Sequence, residues 1–122
     1  MERVQGIGGV FFRARDPEVL ARWYQTHLGI EIEEWGGSVI VAEAGDVTVW
    51  SPFKVDTEYF GTSGQQLMVN YRVRDLDAML EQLRAAGVDV ADERHEDENG
   101  HFGWAVDPEG NRIELWQPPV RG

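Results

Sequence analysis

Apolar and polar positions alternate through "GGVFFRA" (residues 8–14), then change to helical spacing at Val19, Leu20, Trp23, Tyr24 and Leu28. A strand followed by an amphipathic helix is the expected result. Asp16 stands where an N-cap belongs, with Pro17 at the first helical position and Gly29 at the stop. "IEIEEW" (30–35), "SVIVAEA" (38–44) and "VTVWSP" (47–52) then read as three strands, separated by "GG" and "GD" turn signals. The second half follows the same plan. "LMVNYRV" (67–73) reads as a strand, and Asp75 caps a helix carrying Leu76, Met79, Leu80 and Leu83 on one stripe. Gly87 ends that helix. "VDVADERH" (88–95), "GHFGWAV" (100–106) and "NRIELWQ" (111–117) are the last strands, with "DPEG" (107–110) as a turn.

The halves also share words. "FRARD" (12–16) returns as "YRVRD" (71–75), and "VTVWSP" (47–52) returns as "IELWQP" (113–118). Repeats in the same order predict duplicated units. The expected fold is therefore α+β: one domain of two tandem βαβββ modules, residues 4–52 and 66–119, joined by a linker over 53–65.

One helix per four strands covers a single face of each sheet, which leaves the other face for a cleft or a dimer interface. Strand alternation assigns the faces. Val10, Phe12 and Ala14 are expected to pack, leaving Gly9, Phe11 and Arg13 open. In the repeat, Val69, Tyr71 and Val73 pack while Met68, Asn70 and Arg72 open. In the last strands, Val47, Val49, Ile113 and Leu115 pack, and Thr48, Trp50, Glu114 and Trp116 open.

Charge narrows the list of partners. The chain has 122 residues and a net charge of −11, from 22 acidic against 11 basic side chains. Phosphate backbones and anionic membranes are bound by clustered Lys and Arg, so neither is an expected partner. No apolar run is long enough to span a bilayer, and the first residues lack a signal-peptide pattern. With no cysteine in the sequence, disulfides, thiolate zinc sites and a Cys nucleophile are excluded. A cytoplasmic protein is the expectation. The histidines, His27, His95 and His101, fall in no recognisable catalytic spacing, and no glycine-rich loop opens a helix.

The paired modules, the motif "DPEGNRIELWQP" (107–118) and the "RD" that closes each first strand resemble the vicinal oxygen chelate superfamily. That superfamily includes glyoxalase I, extradiol dioxygenases and bleomycin-binding resistance proteins. The resemblance implies an open, U-shaped, barrel-like sheet around a concave cleft, and a homodimer. It also implies a divalent metal held by open-face residues early in each first strand and in each last strand. Those positions fall on Gly9, Thr48, Met68 and Glu114. Only Glu114 is a competent ligand, so the expectation is no metal and no other cofactor.

Glu114 has three readings: a buried ion pair with Arg13 or Arg72, a general base, or a residual metal ligand. Arg13 and Arg72 are repeat-related and read either as partners of nearby acids or as a clamp for an anionic ligand group. Trp50 and Trp116 are likewise paired, with Phe11, Trp35, Tyr59, Phe60, Phe102 and Trp104 available for the same wall. The expected ligand-binding set is Phe11, Arg13, Trp50, Asn70, Arg72, Trp104, Glu114 and Trp116, around a small organic molecule. "TEYFGTSGQ" (57–65) reads first as an ordinary linker, with a lid over the cleft as the alternative. The leading functional reading is a metal-free small-molecule-binding protein. The alternative is a lyase or isomerase of glyoxalase I type, either metal-dependent or using Glu114 as base. A dioxygenase comes third.

Overall fold

The computed structural model describes residues 1–3, 5 and 7–120; the expected start of the first module, residue 4, lies outside them. Helices α1 (Pro17–Leu28) and α2 (Leu76–Ala85) form where the apolar stripes place them. Each begins on an aspartate whose side chain accepts a free backbone N–H of the first turn: Asp16 from Val19 at 3.2 Å and Asp75 from Ala78 at 3.0 Å. Gly29 ends α1 at φ 70°, a left-handed conformation that glycine adopts without strain.

Five strands follow: β1 (Asn70–Arg72), β2 (Asp89–Val90), β3 (His95–Asp97), β4 (Gly100–Val106) and β5 (Arg112–Gln117). They form one sheet in the order β1-β5-β4-β2, with β3 also paired to β4. β1 runs parallel to β5 and sets Asn70 opposite Glu114. β4 and β5 are antiparallel, which sets Phe102 opposite Trp116 and Trp104 opposite Glu114. The strand expected over 88–95 breaks after Val90 and resumes as β3 along β4. The architecture is mixed α+β, with two helices and an open sheet.

The first half departs from expectation. Among the described residues no strand forms before Asn70, so residues 8–14, 30–35, 38–44 and 47–52 run without a ladder. The expected turns between them do form: Gly36 N–H donates to the Glu33 carbonyl at 2.9 Å, and Asp46 N–H to the Glu43 carbonyl at 3.1 Å. Beyond these turns no paired strand forms among them in the described residues. A strand's backbone groups need a paired strand, and a lone extended segment gains little in water. Their apolar side chains accordingly stand out, Phe11 being 92% exposed and Trp50 75%.

Both helices lie on one face of the single sheet. Leu20 and Tyr24 of α1 and Leu76, Leu80 and Leu83 of α2 pack on Ala105, Ile113 and Leu115. Partly buried Tyr71 and Val73 complete that face, as the alternation in the second half predicts. Gly103 is what lets α2 approach closely, because a Cβ there would meet Leu80 Cδ1 at 3.0 Å. Truncating any one of the fully buried leucines should cost about 2–5 kcal/mol. Packing the helices on one face leaves the opposite face of β1, β4 and β5 for the site.

Candidate functional site: a cleft around Glu114

The turn before β5 fixes that strand. Asp107 is buried, and its Oδ1 accepts the backbone N–H groups of Glu109 (2.9 Å) and Asn111 (3.0 Å). Its Oδ2 accepts the Tyr24 hydroxyl and Asn111 Nδ2, both at 2.8 Å. Burial first, then the neighbouring Tyr71 and Asp107, pushes the Tyr24 phenol pKa far up, so it stays a donor. Glu109 accepts the backbone N–H groups of Arg15 (2.6 Å) and Asp16 (3.0 Å), which ties the entrance of α1 to the same turn. The motif "DPEGN" is a structural clamp that aims β5.

The strand it aims presents Glu114 on the open face. This carboxylate is only 7% exposed, and three neutral donors converge on it. Oε1 accepts Asn70 Nδ2 at 2.7 Å, and Oε2 accepts Trp104 Nε1 at 3.0 Å together with the Tyr59 hydroxyl. Burial and the Glu114 carboxylate, in that order, raise the Tyr59 pKa well above the ordinary tyrosine range. Two of the donors come from strands directly beside Glu114, and the third comes from the loop over the sheet.

That loop is held to the sheet by Gln65. Its Nε2 donates to the Arg112 carbonyl and its Oε1 accepts the Arg112 N–H, each at 2.8 Å, much as a strand would. Arg112 Nε returns a bond to the Tyr59 carbonyl at 3.2 Å, and its guanidinium lies 5.1 Å from the Trp104 ring centroid. Phe53 stacks on Tyr59 at 5.5 Å, and Tyr59 meets Trp104 edge-on at 5.9 Å.

A cavity of about 840 Å³ lies between this loop and the sheet. Met68, Asn70, Phe102, Glu114 and Trp116 form its floor, while Phe53, Tyr59 and Phe60 come from the loop. The Phe102 and Trp116 rings lie 6.0 Å apart and within 7° of parallel. Trp116 Nε1 donates to the Asn99 carbonyl at 2.8 Å, which fixes its ring. A smaller cavity of about 410 Å³ shares Tyr59 and Phe102 and adds Trp104, His95 and Asp97.

The structure brings together only part of the expected set. Asn70, Glu114 and Trp116 line the larger cavity, and Trp104 reaches it through Glu114. Phe11, Arg13 and Trp50 do not line it, because their segments belong to no sheet that would hold them against the cleft. Arg72 points to the Val47 carbonyl and pairs with Asp46 at 3.6 Å. The ion pair expected between Glu114 and an Arg is therefore replaced by three neutral donors. In the segment 47–52 the faces are reversed: Val47, Val49 and Ser51 line the cavity, while Thr48 and Trp50 do not. Without a ladder, nothing fixes the register of that segment, and a shift by one residue exchanges its faces. Tyr59 as a donor to Glu114 was not legible, since strand spacing says nothing about where a loop side chain lands.

A family model described as a glyoxalase-like domain matches residues 9–116, and the chain belongs to that family. Among solved structures, a glyoxylase/bleomycin resistance protein/dioxygenase domain from a Frankia species is similar at TM-score 0.60 and 16% identity. That match covers 96% of this chain and 100% of the other. TnmS3, an antibiotic-binding protein from a Streptomyces species, is similar at TM-score 0.52 and 24% identity, over 85% and 88% of the two chains. A lactoylglutathione lyase from Agrobacterium tumefaciens reaches TM-score 0.55 at 15% identity, over 95% and 96%. At these identities the likeness is one of fold. A search of curated proteins gives no match.

The divalent ion that this fold family implies does not fit these residues. Gly9 and Met68 offer no side-chain oxygen or nitrogen, Thr48 is a poor ligand, and the oxygens of Glu114 are already bonded by three donors. Among the described residues no group of three His, Asp or Glu side chains is placed to hold a metal. No helix among them is long and apolar enough to cross a membrane.

Proposed function

We propose that this chain is a small-molecule-binding member of the glyoxalase-like family, holding an organic ligand in the cleft over β1, β5 and β4 without a catalytic metal. The observation that carries this reading is the cavity of about 840 Å³ in which Asn70, Glu114 and Trp116 meet the aromatic loop residues Tyr59 and Phe60. Such a space, mostly apolar with a few fixed polar groups, suits a drug-sized molecule. TnmS3, an antibiotic-binding protein of the same fold, shows what the fold can host. Ligand contacts are assigned to Asn70, Glu114 and Trp116, with Trp104 positioning Glu114. The exposed Phe11, Arg13 and Trp50, together with Arg72, are assigned a role only in a fuller assembly.

That assembly is a homodimer of tandem βαβββ modules, in which a second copy pairs the strand-forming segments of residues 8–14 and 38–52. Supporting it are the solvent-exposed Phe11, Ile40, Val41 and Trp50 and the unpaired outer edge of β1. A cytoplasmic setting is part of the same proposal.

A lyase reading needs Glu114 to take a proton from substrate. Three donors already occupy the carboxylate, which favours an anchoring role over a basic one. The test is a ligand screen on chelator-treated protein, comparing wild type with Glu114→Gln and Trp116→Ala. Binding that survives chelation and is weakened in Trp116→Ala supports the proposal. Binding or turnover that appears only after a divalent metal is restored overturns it.

A further inference from the structure

Resting on the binding reading above, we infer that His95 and Asp97 are positioning residues that set the Trp116 indole, so that the cleft binds its ligand more tightly when the His95 ring is protonated. Three hydrogen bonds connect them. His95 Nε2 lies 2.8 Å from Asp97 Oδ2, and Asp97 Oδ1 accepts the Asn99 N–H at 2.7 Å. The Asn99 carbonyl in turn accepts Trp116 Nε1 at 2.8 Å. One carboxylate thus holds the imidazole with one oxygen and the β3–β4 turn with the other. That turn holds the ring at the floor of the larger cavity. It has no slack against β5, because a Cβ at Gly100 would overlap the Gln117 carbonyl. His95 also packs on Phe102, with ring centroids 5.9 Å apart, and Phe102 lines both cavities.

One member of this series of bonds changes charge near neutral pH. Imidazoles take up a proton between about pH 8 and about pH 5. A protonated ring makes the bond to Asp97 charge-assisted, and such bonds are shorter and stronger than neutral ones. The His95 ring first, and then the Asn99 N–H, hold the Asp97 carboxyl below the ordinary aspartate range. Asp97 is therefore ionised throughout that interval, and its contribution is lost only as pH falls through its lowered value. The other groups around His95 do not compete for it. Arg94, just before β3, is engaged by Asp77 of α2 at 2.5 Å. Tyr59 keeps its proton, and Phe102 and Trp104 do not titrate. Glu93 brings a second carboxylate to the same cavity, which favours the charged ring. On the opposite face of the hairpin, His101 stands 3.7 Å from Glu96, away from the bonds that lead to Trp116. As the His95 ring tightens on Asp97, the turn and the indole lose freedom. A floor ordered beforehand costs a ligand less to bind.

Nuclear magnetic resonance of the ligand-free full chain tests the positioning first. Between about pH 8 and about pH 5.5 the Trp116 indole N–H, assigned through Trp116→Phe, should move in one step as the His95 ring protons titrate. His95→Gln should abolish that step, whereas His101→Gln should leave it. Both side chains stand at the surface, so both variants keep the fold. Asp97→Ala should remove the step and speed exchange of the Trp116 indole proton about tenfold. Binding is then read with N-phenylnaphthylamine on chelator-treated protein. This fluorescent probe is uncharged over the range, so the general charge of the chain does not bias it. It should bind about threefold more tightly at about pH 6 than at about pH 8, and equally at both in His95→Gln. A Trp116 step that persists in His95→Gln, or is missing from wild type, overturns the inference and leaves the binding reading untouched. Equal affinity at the two pH values in wild type does the same. If the indole follows His95 and the probe does not bind, the positioning is upheld and the affinity effect falls with the binding reading.

Discussion

The Tyr59 hydroxyl, carried by the loop between the two halves of the chain, donates to Oε2 of the buried Glu114 carboxylate. This one bond joins the cover of the cleft to its floor. Tyr59 also lines both cavities, so its side chain partitions the space above the sheet. Replacing it with Phe keeps the ring on Trp104 and Phe53 and removes only the donor. We expect Tyr59→Phe to cost about 1–2 kcal/mol, the lower range for a hydrogen bond to a charged group, because the residue is partly exposed. Urea denaturation measures this, and faster proteolysis within residues 53–65 should accompany it.

The close approach of α2 to the sheet makes a second prediction. A Cβ at position 103 would meet Leu80 Cδ1 at 3.0 Å and Cδ2 at 3.2 Å, and Leu80 is buried with little room to move. Gly103→Ala should therefore destabilise by about 1–3 kcal/mol. Pairing it with Leu80→Val should recover part of the loss in a double-mutant cycle, because the two changes share one contact. Additive costs would show that the strain lies elsewhere.

Acid should loosen the clamp between α1 and the turn before β5. Glu109 accepts two backbone N–H groups, which hold its pKa below the ordinary glutamate range. A carboxyl with a lowered folded pKa contributes stability that is fully present above its unfolded value and lost as pH falls through the folded one. The advantage of wild type over Glu109→Gln should therefore be constant above the ordinary glutamate range and shrink below it. Urea midpoints across an acid pH series measure that difference; an advantage growing towards low pH would have the wrong sign.

The sequence made the second half legible because its strands neighbour one another in the chain. Alternation alone put Asn70, Glu114 and Trp116 on one face and Tyr71, Ile113 and Leu115 on the other, and the sheet keeps them so. Aspartate caps at 16 and 75 set the helix starts for the same reason: a cap bonds a backbone group three residues away. The first half was not legible to that degree. Its alternation is strong, but alternation states which residues want a sheet, not where the pairing strand comes from. Hence Thr48 and Trp50 were expected in the cleft, and Val47 and Val49 are found there. Tyr59 and Gln65 escaped the same logic, since loop side chains follow no period.

The unpaired segments lead to a fourth prediction. Val41 is 84% exposed in a stretch that reads as a strand. If a second copy pairs with this region, the protein should sediment as a dimer at micromolar concentration, and Val41→Glu should shift it towards monomer without loss of helix content. A wild-type monomer at that concentration would contradict the proposed assembly.

An organic ligand seated on Trp116 beside Glu114 is reported most directly by the indole N–H resonances. Trp116 Nε1 bonds the Asn99 carbonyl and Trp104 Nε1 bonds Glu114, so each gives a distinct signal at the floor of the cleft. Trp23, packed against the core, is the internal control. In a titration of metal-free protein with a bound aromatic ligand, we expect the Trp104 and Trp116 signals to shift together to saturation while Trp23 holds still. Saturable binding that leaves both indoles unmoved would place the ligand elsewhere and contradict the account.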